Sequence, residues 1–98
     1  MTARYRVEIA RRAQRSLASL QRRDQQRVRA AIDLLADEPR PPSCVAMVGE
    51  PGVYRVRVGV YRIVYEVLDD RLVVQVVRVS HRRYPEAATR ASSASRAT

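Results

Sequence analysis

The chain has 98 residues, of which 46% are hydrophobic, enough for one domain with a modest core. Its 19 basic residues, all of them arginine, outnumber 10 acidic residues and give a net charge of +9. This excess favours a polyanion or an acidic protein as partner, whereas one cysteine and one histidine exclude an internal disulfide and argue against a metal site.

Hydropathy gives no sign of a membrane protein. No apolar run approaches the roughly 20 residues that a spanning helix needs, and the start of the chain lacks the apolar core of a signal peptide. We therefore expect a cytoplasmic protein that does not contact membranes.

The first half of the chain predicts a strand followed by a helical hairpin. Residues 5–9 alternate between apolar and polar, as a strand does, and residues 10–20 switch to helical spacing. Asp24 is the expected N-cap of a second helix, and a proline-rich stretch at residues 39–42 ends it. The inward-facing residues of the two helices are Ala13, Leu17, Leu20, Val28, Ala31, Ile32 and Leu35.

The second half is typical of an antiparallel meander. After a short strand at residues 45–48 and a turn, residues 54–58 and 61–68 form a hairpin around Gly59-Val60, where glycine in the first loop position suits a type II′ turn. Asp69-Asp70 makes the next turn.

The last predicted strand covers residues 72–79 and is apolar on both faces, so it should be central. Residues 80–84 are expected to leave the sheet. We predict an α+β fold with an N-terminal strand, a two-helix hairpin and a three- to four-stranded antiparallel sheet. The domain should cover residues 1–86, with residues 87–98 as a flexible tail.

Arginines alternate along one predicted strand. Arg55 and Arg57 point to one face, and Arg62 follows the tight turn, within about 5 Å of Arg57 across the hairpin. Such residues often only keep a sheet soluble. Because like charges placed opposite each other are destabilising, the cluster favours an anionic ligand such as the phosphates of a nucleic-acid backbone.

Two residues near the C-terminus are further candidates. Histidine as a residue type titrates near neutral pH, so His81 could move a proton, although a lone histidine is more often structural. Tyr84 could stack on a base or close the sheet edge. The carboxylates are scattered, so nothing supports paired-carboxylate chemistry.

Three segments resemble the RelE/ParE superfamily of bacterial type II toxins, closest to its RelE branch. They are LLADEPR at residues 34–40, VGEPGVYRVRVGVYRIVY at residues 48–65 and VRVSHRRY at residues 77–84. The resemblance implies a compact fold like that of the microbial ribonucleases and a ribosome-dependent mRNA endonuclease. Such a toxin cuts the codon in the ribosomal A site by attack of the RNA's own 2′-hydroxyl, without metal or cofactor.

The resemblance also implies partners. A cognate RelB-like antitoxin, with an acidic and partly disordered segment, would neutralise the toxin. Operator DNA would be contacted only indirectly, through that antitoxin.

The family's functional positions fall on arginines of this chain. Arg55 and Arg57 match positions that are often lysine, Arg62 matches the arginine that neutralises the scissile phosphate, and Arg82 matches one implicated in leaving-group protonation or phosphate binding. Tyr84 lies near the family's base-stacking tyrosine, although earlier than usual in the sequence.

The general base is the main departure from the family. Arginine keeps its proton at neutral pH and is a poor base. His81 is the better candidate by pKa; alternatively, the arginines together lower the pKa of the 2′-hydroxyl. Two other functions stay open: a ParE-like inhibitor of DNA gyrase without nuclease activity, and an RNA-binding module that does not cleave.

Overall fold

Two helices cover one face of a five-stranded sheet in the computed structural model, which describes residues 4–81. The elements in chain order are β1 (Arg6–Ile9), α1 (Arg11–Ala18), α2 (Arg22–Leu34), β2 (Val45–Ala46), β3 (Val53–Val58), β4 (Tyr61–Leu68) and β5 (Val73–His81). The predicted α+β class is confirmed.

The second helix begins earlier than predicted. Gln21 is its N-cap, and the amide of Gln25 donates the first helical hydrogen bond to the Gln21 carbonyl, at 2.8 Å. Because Arg22 and Arg23 are good helix formers, the helix extends back over them. Asp24 therefore lies in the first turn, where its carboxylate also suits the positive end of the helix dipole.

The first strand belongs to the same sheet as the meander, which the prediction of three or four antiparallel strands did not include. The strand order is β1-β5-β4-β3-β2, and β1 runs parallel to β5. The backbone amides of Arg6 and Ala10 donate to the carbonyls of Leu72 and Val76, each at 2.8 Å. The apolar β5 is thus an interior strand, as its composition predicts, although β4 is the middle one.

The β3–β4 hairpin has the predicted two-residue loop. Gly59 adopts a φ of +59°, which a type II′ turn requires at its first loop position. The register places Arg57 directly opposite Arg62 and Val58 opposite Tyr61. The predicted proximity of the two arginines is therefore confirmed.

A bulge interrupts the pairing of β4 with β5. Val64 pairs with Arg78 but the next residue, Tyr65, pairs with Val76, so Val77 is the extra residue. Beyond the bulge, Ser80 and His81 stay in β5, opposite Arg62 and Tyr61. The expectation that the chain leaves the sheet at Ser80 was wrong because β4 still offers these residues hydrogen-bonding partners.

The core lies between the helices and the sheet face that they cover, which we call the helix face. Ile63 and Tyr65 from β4 are fully buried there, against Leu17 of α1 and Ile32 of α2. The Tyr65 hydroxyl donates to the Pro39 carbonyl at 2.8 Å, so the linker after α2 is tied to the middle strand.

A polar network fixes the same linker at the sheet end that carries the β4–β5 turn. Arg40 donates to both carboxylate oxygens of Asp69, at 2.7 and 3.2 Å, and to the Tyr54 hydroxyl at 3.0 Å. Tyr5 donates to Asp69 at 2.6 Å. Because these residues come from four separate segments, the network locks the linker onto the sheet.

Three expectations concern residues outside the described part of the chain. These are the roles of Arg82 and Tyr84, the domain boundary after residue 86, and the flexible tail at residues 87–98. Within residues 4–81, neither helix is long and apolar enough to cross a membrane.

Candidate nucleic-acid interface

On strands β3, β4 and β5, the face of the sheet opposite the helices, which we call the open face, carries four arginines in two rows. Cα partners that lie directly opposite each other direct their side chains to the same face. Across β3, β4 and β5, the first row is therefore Arg57, Arg62 and Ser80. The second row is Arg55, Val64 and Arg78.

The four arginines differ in exposure. Arg57 is exposed, whereas Arg55, Arg62 and Arg78 are half-buried, and the Nε atoms of Arg62 and Arg78 are inaccessible to solvent. Guanidinium groups stay protonated in proteins. The open face therefore holds permanent cations.

Arg78 is the residue that the sequence interpretation missed. Simple alternation from the core residue Val76 would direct Arg78 into the helix face. The bulge at Val77 reverses that parity and directs Arg78 to the open face. An arginine inside an otherwise apolar strand was the available signal, since a cation is rarely buried in a core.

His81 lies on the other side of the sheet from the arginines. It pairs with Tyr61, and because the next residue, Arg62, points to the open face, Tyr61 and His81 both point to the helix face. The rings of His81 and Tyr61 meet edge to face, with their centroids 5.6 Å apart. The structure therefore brings Arg55, Arg57 and Arg62 together, as predicted, but not His81.

Helix α2 contacts the β3–β4 hairpin, which carries Arg57 and Arg62 of the first row. Tyr61 donates its hydroxyl to the Asp24 carboxylate at 2.8 Å, and this hydrogen bond raises the pKa of Tyr61 above its ordinary value. The Arg27 guanidinium lies against Gly59, where a Cβ atom would come within 3.0 Å of it. These contacts fix the hairpin loop, and with it Arg57 and Arg62.

The borders of the arginine rows are also defined. A third row, two residues further along β4, contains Glu66 opposite Gln75, so a carboxylate ends the cationic region. At the edge beside Arg55 and Arg57, a pocket of about 300 Å³ is completed by Ser43 and Val45. No three His, Cys, Asp or Glu side chains of residues 4–81 are grouped so that they could hold a metal ion.

A second, more apolar groove of about 310 Å³ lies between the end of α2 and β3. Its apolar lining includes Ala31, Leu34, Val56 and Val58, and Arg57 stands at its border with the open face. Leu34 is 67% exposed beside this groove.

Comparison with known proteins identifies the family. The sequence profile described as "ParE toxin of type II toxin-antitoxin system, parDE" matches residues 7–84. A search of the curated proteins finds no match.

Among solved structures, the chain is similar to the toxin–antitoxin complex RelBE2 from Mycobacterium tuberculosis, with 28% identity and a TM-score of 0.74 over 84% of this chain and 95% of that one. The archaeal RelE–RelB complex from Pyrococcus horikoshii OT3 gives 29% identity and 0.72, over 80% of this chain and 94% of that one.

The isolated RelE toxin of E. coli, at 24% identity, shares the fold, with a TM-score of 0.72 over 89% of this chain and 94% of that one. Because the profile covers most of the sequence and the fold is that of the RelE structures, the chain belongs to the RelE/ParE superfamily of type II toxins.

Proposed function

We propose that the protein is a RelE-like endoribonuclease that cleaves mRNA in the ribosomal A site, in the cytoplasm. The observation that carries this proposal is the direct pairing of Arg57 with Arg62 on the open face, with Arg55 in the adjoining row. A gyrase-binding toxin has no need of such a phosphate-binding group.

Cleavage would use the RNA's own 2′-hydroxyl. The oxygen attacks the adjacent phosphorus as its proton leaves to solvent, and the P–O5′ bond breaks to give a 2′,3′-cyclic phosphate and a 5′-hydroxyl. Arg62 would neutralise the scissile phosphate, and Arg57 would stabilise the additional negative charge of the phosphorane. Guanidinium groups suit this task because they bind phosphate oxygens in a bidentate manner.

The general base was an open choice between His81 and the arginines. Since His81 lies on the helix face against Tyr61, we propose the second alternative. Arg55, Arg57 and Arg62 lower the pKa of the 2′-hydroxyl electrostatically, so that no side chain has to take the proton directly. The leaving 5′ oxygen would take its proton from Arg82, which would regain one from solvent, or directly from solvent while Arg82 binds the phosphate. Tyr84 would stack on a base.

A cognate RelB-like antitoxin is the proposed partner, because the similar structures from M. tuberculosis and P. horikoshii are toxin–antitoxin complexes. The net charge of +9 favours an acidic segment. The groove beside Leu34 and Val58 would receive its apolar residues. Operator DNA would be contacted only through the antitoxin.

Primer extension on a translated mRNA, after induction in cells, tests the nuclease. We expect new 5′ ends within codons of the reading frame, absent when the start codon is disabled and strongly reduced in Arg62→Ala. Arg71→Ala is the matched control, since it removes an exposed arginine from the distant β4–β5 turn. Full cleavage by Arg62→Ala would remove Arg62 from the mechanism.

The second candidate function is inhibition of DNA gyrase, favoured by the match to the ParE toxin profile over residues 7–84. It predicts growth arrest without new mRNA ends, and inhibition of supercoiling by purified gyrase when the protein is added. That pair of results would replace the nuclease proposal.

A further inference from the structure

Arg55 and Arg78 flank the same residue, Val64, from opposite sides. Each pairs with Val64 across a neighbouring strand, so their Cα atoms lie about two strand spacings, or roughly 10 Å, apart. Val64 is 7% exposed although neither helix of residues 4–81 covers this face, and the alkyl stems of arginines readily lie over such an apolar residue. The guanidinium groups of Arg55 and Arg78 can therefore approach each other above the side chain of Val64.

The second row repeats the first at a fixed distance. Arg55 lies two residues before Arg57 on β3, and Val64 lies two residues after Arg62 on β4, so the rows are separated by about 7 Å. This distance is comparable with the separation between successive phosphates of an extended nucleic-acid strand. Each of the two rows is therefore placed to bind one of two consecutive phosphates.

The bulge at Val77 makes the second row possible. It returns Val79 to the core while Arg78 and Ser80 both face outward, so β5 adds a cation to one row and a hydroxyl to the other. Beyond the second row, the carboxylate of Glu66 would repel a further phosphate. On β3, β4 and β5, the cationic surface is thus limited to two rows along this direction.

We propose that Arg55 and Arg78 form a second phosphate subsite, which holds the phosphate next to the one held by Arg57 and Arg62. The ligand is a single-stranded RNA segment with at least two consecutive phosphates. The subsite rests on the proposed function in that the first row holds the scissile phosphate. Its role is to fix the register of the strand, and Arg78 is a positioning residue.

The test is binding to a trinucleotide that carries a 2′-deoxy group at the scissile position, so that it cannot be cut. Arg78→Ala should weaken binding about tenfold and reduce the slope of log K against log salt by about 0.7. Arg78→Lys should recover part of the affinity, and the control Arg71→Ala should bind like the wild type. Circular dichroism verifies that each variant is folded.

Replacement of single phosphates by neutral methylphosphonate groups identifies the one that Arg78 contacts. Neutralising the phosphate next to the scissile one should weaken binding by the wild type more than binding by Arg78→Ala, because the variant has already lost one of the two guanidinium groups that contact this phosphate. An equal loss of affinity in both proteins when this neighbouring phosphate is neutralised would overturn the subsite.

The two proposals fail separately in these experiments. Cleavage in cells combined with wild-type binding by Arg78→Ala would leave the nuclease intact and remove the subsite. Phosphate-specific loss in Arg78→Ala, without cleavage by the wild type, would support the subsite in a protein that binds RNA but does not cut it.

Discussion

The rings of Tyr61 and His81 pack edge to face, with centroids 5.6 Å apart and planes at 75°. Tyr61 is held in turn by its hydrogen bond to Asp24 of α2. The histidine that titration chemistry favours as a base is therefore part of the contact between the sheet end and the helix. The arginines occupy the opposite face of the same strands.

His81→Gln should lower the thermal midpoint by a few degrees, because it removes an aromatic contact, and should leave the shape of the pH–rate profile unchanged. The measurement is A-site cleavage on purified ribosomes between pH 6 and 8.5. Tyr61→Phe, which keeps the ring, is the control for packing. Disappearance of an acidic limb in His81→Gln alone would identify His81 as the base after all.

Gly59→Ala should destabilise the protein by about 1–2 kcal/mol, since alanine at a φ of +59° is strained. Gly59→Asn should lose less stability than Gly59→Ala, because asparagine tolerates this conformation. Both side chains bring a Cβ atom to 3.0 Å from the Arg27 guanidinium, so their difference isolates backbone strain. Urea denaturation measures it, and equal losses would show that the Arg27 contact dominates.

Asp69→Asn should make stability less sensitive to acid. The hydrogen bonds from Arg40, followed by that from Tyr5, lower the pKa of Asp69. Because the pKa is lower in the folded state, the stabilisation is present above the unfolded value of about 3.9 and is lost as pH falls through the folded value. Urea midpoints at pH 7 and pH 3 should therefore differ less in Asp69→Asn than in the wild type.

The neighbouring substitution Asp70→Asn removes the same charge from the same turn and serves as the control. An equal change in acid sensitivity in both variants would mean that net charge, not the Arg40 contact, is responsible.

Tyr65→Phe should lower stability at pH 7 by about 1–3 kcal/mol, because the half-buried Pro39 carbonyl loses its donor. Burial raises the pKa of Tyr65, so the neutral phenol stabilises the fold below the unfolded pKa of about 10. That contribution is lost as pH rises towards the folded value. Between pH 8 and pH 11, the free energy of unfolding measured by chemical denaturation should decline less in Tyr65→Phe than in the wild type. An equal decline in both proteins would contradict this assignment.

The sequence by itself determined the α+β class, the helical hairpin and the pairing of Arg57 with Arg62. These follow from local physics, since periods of 3.6 and 2 define the buried faces and a two-residue loop with glycine first fixes the hairpin register. The start of α2 was misjudged because Asp24 suits both an N-cap and a first-turn position.

Only the tertiary structure decided which faces Arg78 and His81 occupy. A single extra residue in β5, Val77, reverses the alternation of every side chain after it, and nothing in the local sequence marks where such a residue lies. The parallel addition of β1 was likewise hidden, because pairing between residues nearly 70 positions apart depends on how the helices pack. The arginine rows of the open face therefore arise from local alternation corrected by one non-local bulge.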